Sequence, residues 1–137
     1  MKKWIACILI TALCFCPISC ASSVDVGDTD RVTLTYNNGG KRIRRTLSQE
    51  ESSQIVGIIN NKRYFEMSWD TDTCDFDKNI SLTVGNTVFA VAKDRCAMLK
   101  DLSNDELILL TDAEHSIIVA LFDTYGGALP CQEETEG

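Results

Sequence analysis

The chain has 137 residues, 45% of them hydrophobic and 24% charged, with 13 basic residues against 20 acidic ones and a formal net charge of −7. That length suits one small domain with a core of its own. The acidic balance argues against nucleic acid as a partner, because basic side chains must neutralise phosphates, and it predicts weak repulsion from anionic lipid.

The chain opens with Lys2 and Lys3, followed by an uncharged run from Trp4 to Pro17. As a helix that run spans about 21 Å at about 1.5 Å per residue. The hydrocarbon core of a bilayer is about 30 Å thick, so the run is short for a permanent span. A basic start, a short apolar run and small residues at its end are the marks of a secretory signal peptide. The run ends in Pro17-Ile18-Ser19-Cys20. These residues resemble the lipobox of bacterial lipoproteins, with Ile18 and Ser19 in the pattern and Pro17 where Leu is usual. The resemblance implies cleavage before Cys20 and lipidation of Cys20. It implies a membrane anchor facing outside the cytoplasm, on the outer membrane if the cell has two. Cleavage after Ala21 by ordinary signal peptidase is the competing reading and implies soluble export.

On the lipoprotein reading, residues 1–19 are a signal peptide and residues 20–30 a lipidated N-terminus and tether. Residues 31–131 form a single domain, and residues 132–137 a loose acidic tail. The 118 residues from Cys20 onward carry 11 basic and 20 acidic side chains. Charge is unevenly spread, with seven basic against two acidic residues in 31–63 and four against fifteen in 64–137. Such a dipolar surface either draws the two halves together or steers a partner of opposite pattern. Three of the seven cysteines leave with the signal and Cys20 takes lipid, which leaves Cys74, Cys96 and Cys131. An exported domain keeps disulfides, and three thiols leave one over.

Val32, Leu34 and Tyr36 alternate with threonines, the period of a half-buried strand. Asn37-Asn38-Gly39-Gly40 then turns the chain. A two-residue turn at Asn38-Gly39 sets Leu34 opposite Ile43 and Thr33 opposite Arg44. Val32, Leu34, Tyr36 and Ile43 then face the core, and Thr33, Thr35, Arg42 and Arg44 form a basic, polar outer surface. Ser48 to Glu51 reads as a capping box, opening a helix with Ile55, Ile58 and Ile59 on one face and an end near Asn60-Asn61. Tyr64 to Trp69 reads as a strand. Ile80 to Lys93 reads as a second hairpin, with Gly85-Asn86 as a type II′ turn that pairs Val84 with Thr87. Cys74 and Cys96 then lie one residue out of register across the ends of that hairpin. A bulge can absorb the offset, so a Cys74–Cys96 bridge is the first choice and pairing of Cys131 with either the alternative. Cys96 to Leu99 extends the return strand, Ser103 to Asp105 turns, and Glu106 to Leu109 comes back. Thr111 to Glu114 is a second capping box. Its helix carries Ile117, Ile118, Leu121, Phe122 and Tyr125 at helical spacing and stops at Gly126-Gly127.

The two helix starts align at a constant offset of 63, pairing Ser48 with Thr111, Glu51 with Glu114 and Val56 with Val119. Strands followed by a capped helix, used twice, predict an α+β fold. Two hairpin-plus-helix units make one antiparallel sheet with both helices packed on it.

Little in the chain promises chemistry. Asp70, Asp72, Asp75 and Asp77 cluster in sequence and could offer oxygen ligands to Ca²⁺. Asp75 stands where an EF-hand needs Gly, and Ser81 where it needs Glu, so a solvated loop is the plainer reading. A small hydrolase or calcium-binding protein using these carboxylates is the alternative function. His115, the sole histidine, falls outside the apolar stripe of its helix, and no Cys-x-x-Cys pair accompanies it for zinc. The chain contains no Gly-x-Ser-x-Gly, P-loop or dinucleotide fingerprint. The expectation is a membrane-anchored, non-catalytic domain without metal or cofactor. It meets an unidentified protein partner through Thr33, Thr35, Arg42 and Arg44.

Overall fold

A computed structural model describes residues 22–27, 29–65, 74–92 and 96–127. In chain order its elements are β1 (Val32–Asn38), β2 (Lys41–Thr46), α1 (Gln49–Asn60) and β3 (Tyr64–Phe65). Then come β4 (Phe76–Val84), β5 (Thr87–Ala92), β6 (Met98–Asp101), β7 (Leu107–Leu109) and α2 (Asp112–Thr124). All seven strands join one antiparallel sheet in the order β2-β1-β4-β5-β6-β7-β3. The α+β expectation holds. The β4–β5 hairpin sits at the centre, β1 and β6 flank it, and β2 and β7 lie outside those. The offset of 63 that relates the two helix starts also carries β1–β2–α1 onto β6–β7–α2.

One face of the sheet makes the core. Period-two alternation sends Val32, Leu34 and Tyr36 to the same side as Leu82, Val84, Phe89, Val91, Leu99 and Ile108. All of these are buried, and they form one cluster with Ile55 and Ile59 of α1 and Ile118 and Phe122 of α2. The rings of Tyr36 and Phe122 meet edge to face at 6.4 Å, the geometry that aromatic quadrupoles favour.

Both helices begin as their sequences predict. Ser48 and Thr111 each accept from the N–H three residues on. Glu51 and Glu114 each accept in return from the cap N–H. The ends differ: α1 closes on Asn61, whereas Gly126 adopts φ 84° after α2. Gly126 N–H donates to Asp123 O and Gly127 N–H to Phe122 O, the paired bonds of a Schellman stop. Gly127 lies flat on the Tyr36 ring, where a Cβ would come within 2.5 Å of Cγ. Tyr36 Oη donates to the Tyr125 carbonyl.

Three local expectations change. The first hairpin turns at Gly39-Gly40, both at positive φ (58° and 76°), so Tyr36 pairs Ile43 and Leu34 pairs Arg45. Both pairs suit a type I′ turn, and the observed one brings buried Leu47 opposite Val32. The pairing moves by two residues, an even shift, so every side chain keeps its expected face. Met98–Asp101 does not extend β5. It turns back and pairs antiparallel with it. Of the strand expected from Tyr64 to Trp69, Tyr64 and Phe65 are present and the rest lies outside the described residues.

The second hairpin pairs Val84 with Thr87 as expected, and Gly85 has φ 60°. The register then slips between Phe76 and Ser81. Four residues of β4, Asp77 to Ile80, stand against one of β5, Val91, a bulge that redirects the strand towards its start. Cys74 and Cys96 form a disulfide with a Cα–Cα distance of 5.9 Å. Cys131 lies outside the described residues.

Within the stretch read as a tether, Ser22 to Val26 is bound to the domain. Val24 N–H donates to Lys62 O, Tyr64 N–H donates to Ser22 O, and Val24 is 2% exposed within the core cluster. Val26 N–H reaches the Asn60 side chain. The outer edge of β3 is therefore covered by the N-terminal segment.

Candidate functional site

The expected surface on β1 and β2 is partly accessible. Thr35 stands directly across from Arg44, Thr33 from Thr46, and Asn37 from Arg42. All six point away from the core. Arg42 and Arg44 are exposed and Thr33 half-buried, but Thr35 is 2% exposed and offers nothing to a partner. Thr35 sits in the middle of the sheet face between Arg44 and Ser81. Its neighbours on both strands cover it.

A cavity of about 340 Å³ opens on this same face. Thr33 of β1, Arg44 of β2 and Thr83 of β4 line it. Thr33 and Thr83 are cross-strand partners, which joins the β1–β2 hairpin to β4. Thr29, Arg31 and the Gly85-Asn86 turn complete the lining. The N-terminal segment is held close there, since a Cβ on Gly85 would meet the Val26 carbonyl at 3.2 Å. Thr29 Oγ1 accepts from Arg31 N–H at 3.3 Å and fixes the approach to β1. Two arginines and three threonines thus line one recess. Donors of this kind suit carboxylate or other oxyanions, for which arginine presents a planar fork.

Among the described residues, Arg31, Lys41, Arg42, Arg44 and Arg45 form no ion pair. The acidic residues engage elsewhere. Glu114 binds Lys62 at 2.5 Å, Asp105 binds Lys100 at 2.7 Å, and Glu51 accepts from Tyr125 at 2.7 Å. Asp101, 2% exposed, accepts from Tyr64 Oη and from both the N–H and hydroxyl of Ser103. Burial and that carboxylate together push the Tyr64 phenol upward.

The remaining candidates fall elsewhere. Asp70 and Asp72 lie outside the described residues. Asp77 accepts from the backbone and side-chain amides of Asn79 at 2.8 and 3.0 Å, a local turn around its carboxylate. Among the described residues no group of His, Cys, Asp and Glu is arranged to hold a metal. His115 lies half-buried in the first turn of α2. Cys20 is outside the described residues, and no described helix is long and apolar enough to cross a membrane.

Sequence reasoning omitted Thr29, Arg31, Thr83, Gly85 and Asn86 from the surface. The signal for Arg31 was available, since it stands two residues before Thr33, at the entry to β1, where alternation puts both on one face. Thr83 and Asn86 carried no such signal, because they reach the site only through the pairing of β1 with β4. Comparison with protein-family models, curated proteins and solved structures found no match to this chain.

Proposed function

We propose that the protein is a membrane-anchored extracytoplasmic lipoprotein whose domain binds an acidic protein partner without catalysis. The observation that carries the binding half is that five cations, Arg31, Lys41, Arg42, Arg44 and Arg45, form no ion pair among the described residues of a chain of net charge −7. Unpaired charges of one sign raise the rate of encounter with a complementary surface and suppress wrong partners. The anchor half rests on the lipobox-like residues ending at Cys20.

The topology supports a division of labour between these halves. One residue separates Cys20 from Ser22, which is already bonded to the β3 edge. Lipid on Cys20 holds that edge against the membrane. The basic β2 edge is at the opposite end of the strand order from β3.

Two measurements test the proposal. Intact mass of protein purified from membranes reports both cleavage and acylation of Cys20, and a mature mass without lipid overturns the anchor. Crosslinking in the intact envelope, comparing the native chain with Arg42→Glu/Arg44→Glu, tests the surface. Capture of the same acidic partner by both forms overturns the basic face.

A further inference from the structure

The seven-stranded sheet has two edges, and the chain treats them differently. The β3 edge is closed by Ser22 to Val24 through two backbone hydrogen bonds, each 3.1 Å. Among the described residues no strand lies outside β2.

The register fixes what that open edge presents. Leu47 N–H donates to Val32 O at 2.9 Å, so residues 32 and 47 form a hydrogen-bonded pair. Antiparallel pairs alternate. Leu34–Arg45, Tyr36–Ile43 and Asn38–Lys41 therefore also bond inward. The N–H and C=O groups of Arg42, Arg44 and Thr46 point outward with no strand to meet them. Along the same edge Lys41, Arg42, Arg44 and Arg45 are exposed and Ile43 is half-buried.

We propose that the outer edge of β2 takes an extended acidic segment of the partner as an added antiparallel strand, with an acidic–apolar–acidic pattern facing Arg44, Ile43 and Arg42. This rests on the reading of the domain as a binding module for an acidic protein. Main-chain bonds to an open edge supply affinity, and alternate side chains supply selectivity. Charged edges ordinarily guard a sheet against pairing. Here the guard is of one sign. A second copy of this chain would set cations opposite cations along the edge, and like charges directly opposite are destabilising. An acidic strand meets the reverse. Its residues facing Arg42 and Arg44 lie on the open face of the sheet, beside the recess of Arg31 and Arg44. Its residue facing Ile43 lies on the core side and extends the apolar surface there.

The test uses the mature protein and a capped synthetic peptide, Thr-Glu-Glu-Val-Glu-Glu, followed by amide chemical shifts and calorimetry at low salt. The expected result is binding with shifts confined to β2 and its neighbours, weakened by salt. N-methylation of the two glutamates that face Arg42 and Arg44 removes the donors to the edge and leaves the charge intact. It lowers affinity by at least about tenfold, the loss expected for two main-chain hydrogen bonds. Equal binding of the methylated peptide overturns strand addition. If Arg42→Glu/Arg44→Glu still abolishes binding in that case, the basic surface stands without it, and if it does not, both readings fail. Absence of binding overturns the inference. So does binding that appears only after residues 132–137 are removed, because the chain's own Glu133, Glu134 and Glu136 are then the occupant.

Discussion

The phenolic oxygen of Tyr125, at the C-cap of α2, donates to Oε2 of Glu51 in the first turn of α1 at 2.7 Å. The same contact recurs in the other direction, where Lys62, just beyond the end of α1, binds Glu114 in the first turn of α2 at 2.5 Å. The offset of 63 carries Glu51 onto Glu114 and Lys62 onto Tyr125. Each capping-box glutamate thus serves its own helix start and ties it to the end of the other helix. Antiparallel placement of the helices makes this exchange geometrically available, and it lends them a rigid register over the sheet.

Removing one end of such a link tests it directly. Tyr125→Phe is expected to cost about 1 kcal/mol, the usual worth of a partly exposed hydrogen bond. Ser48→Ala and Thr111→Ala should each cost about 1 kcal/mol through the lost cap. Denaturant melts of Tyr125→Phe, Glu51→Gln and the double variant should give losses that do not add, because the two residues share one interaction. Strict additivity would dissolve the link.

Acid should weaken the fold through the same two carboxylates. The Tyr125 hydroxyl and the Ser48 N–H hold Glu51 below its ordinary value of 4.5. Burial pushes Glu114 upward, but Lys62 and the Thr111 N–H outweigh it and the net direction is down from 4.5. A carboxylate depressed by folding stabilises above its unfolded pKa, and that stability drains away as pH falls through the folded value. Thermal stability should therefore be full above about pH 5 and fall below it. Glu51→Gln/Glu114→Gln should be less stable at neutral pH and flatter across that window. A parallel pH profile for both forms would contradict this.

Gly127→Ala should be more harmful than a surface change normally is. The new methyl would meet the Tyr36 ring at 2.5 Å, and that ring is 2% exposed with its hydroxyl bound to Tyr125. Neither side can yield, so a loss of about 1–3 kcal/mol is expected, as for other overpacked sites. Gly127→Ala combined with Tyr36→Ala would relieve the clash. If Gly127→Ala melts like the native protein, the close approach is wrong.

Reduction should destabilise the domain even though both helices survive locally. The Cys74–Cys96 bridge closes a loop of 22 residues, for which chain entropy gives about 3 kcal/mol. That corresponds to a melting shift of about 12–14 °C at an unfolding entropy of about 2.1 cal/mol/K per residue. Cys74→Ser/Cys96→Ser should reproduce the shift under oxidising conditions, and Cys131→Ser should not. A large effect of Cys131→Ser alone would mean that the third thiol also stabilises the fold.

The features legible in the sequence are those that need only near neighbours. A capping box is complete within four residues, so Ser48–Glu51 and Thr111–Glu114 set both helix starts. Alternation decides which way each side chain of β1 and β2 points, and it survives an error of two residues in the turn. What needed the tertiary structure are the distant pairings. Gly39-Gly40 and Asn38-Gly39 are both sound turns in isolation, and the register found is the one that sets buried Leu47 against Val32. Ser22 to Val26 lacks any strand period, yet the uncovered edge of β3 gives its backbone a place to bond. The joining of β1 to β4 brings Thr83 and Asn86 beside Arg31 and Arg44, and it buries Thr35, which sequence pattern alone left on the surface. Side-chain direction is a property of the local backbone. Exposure depends on what the rest of the chain brings alongside, and that is why the face was readable and its accessible residues were not.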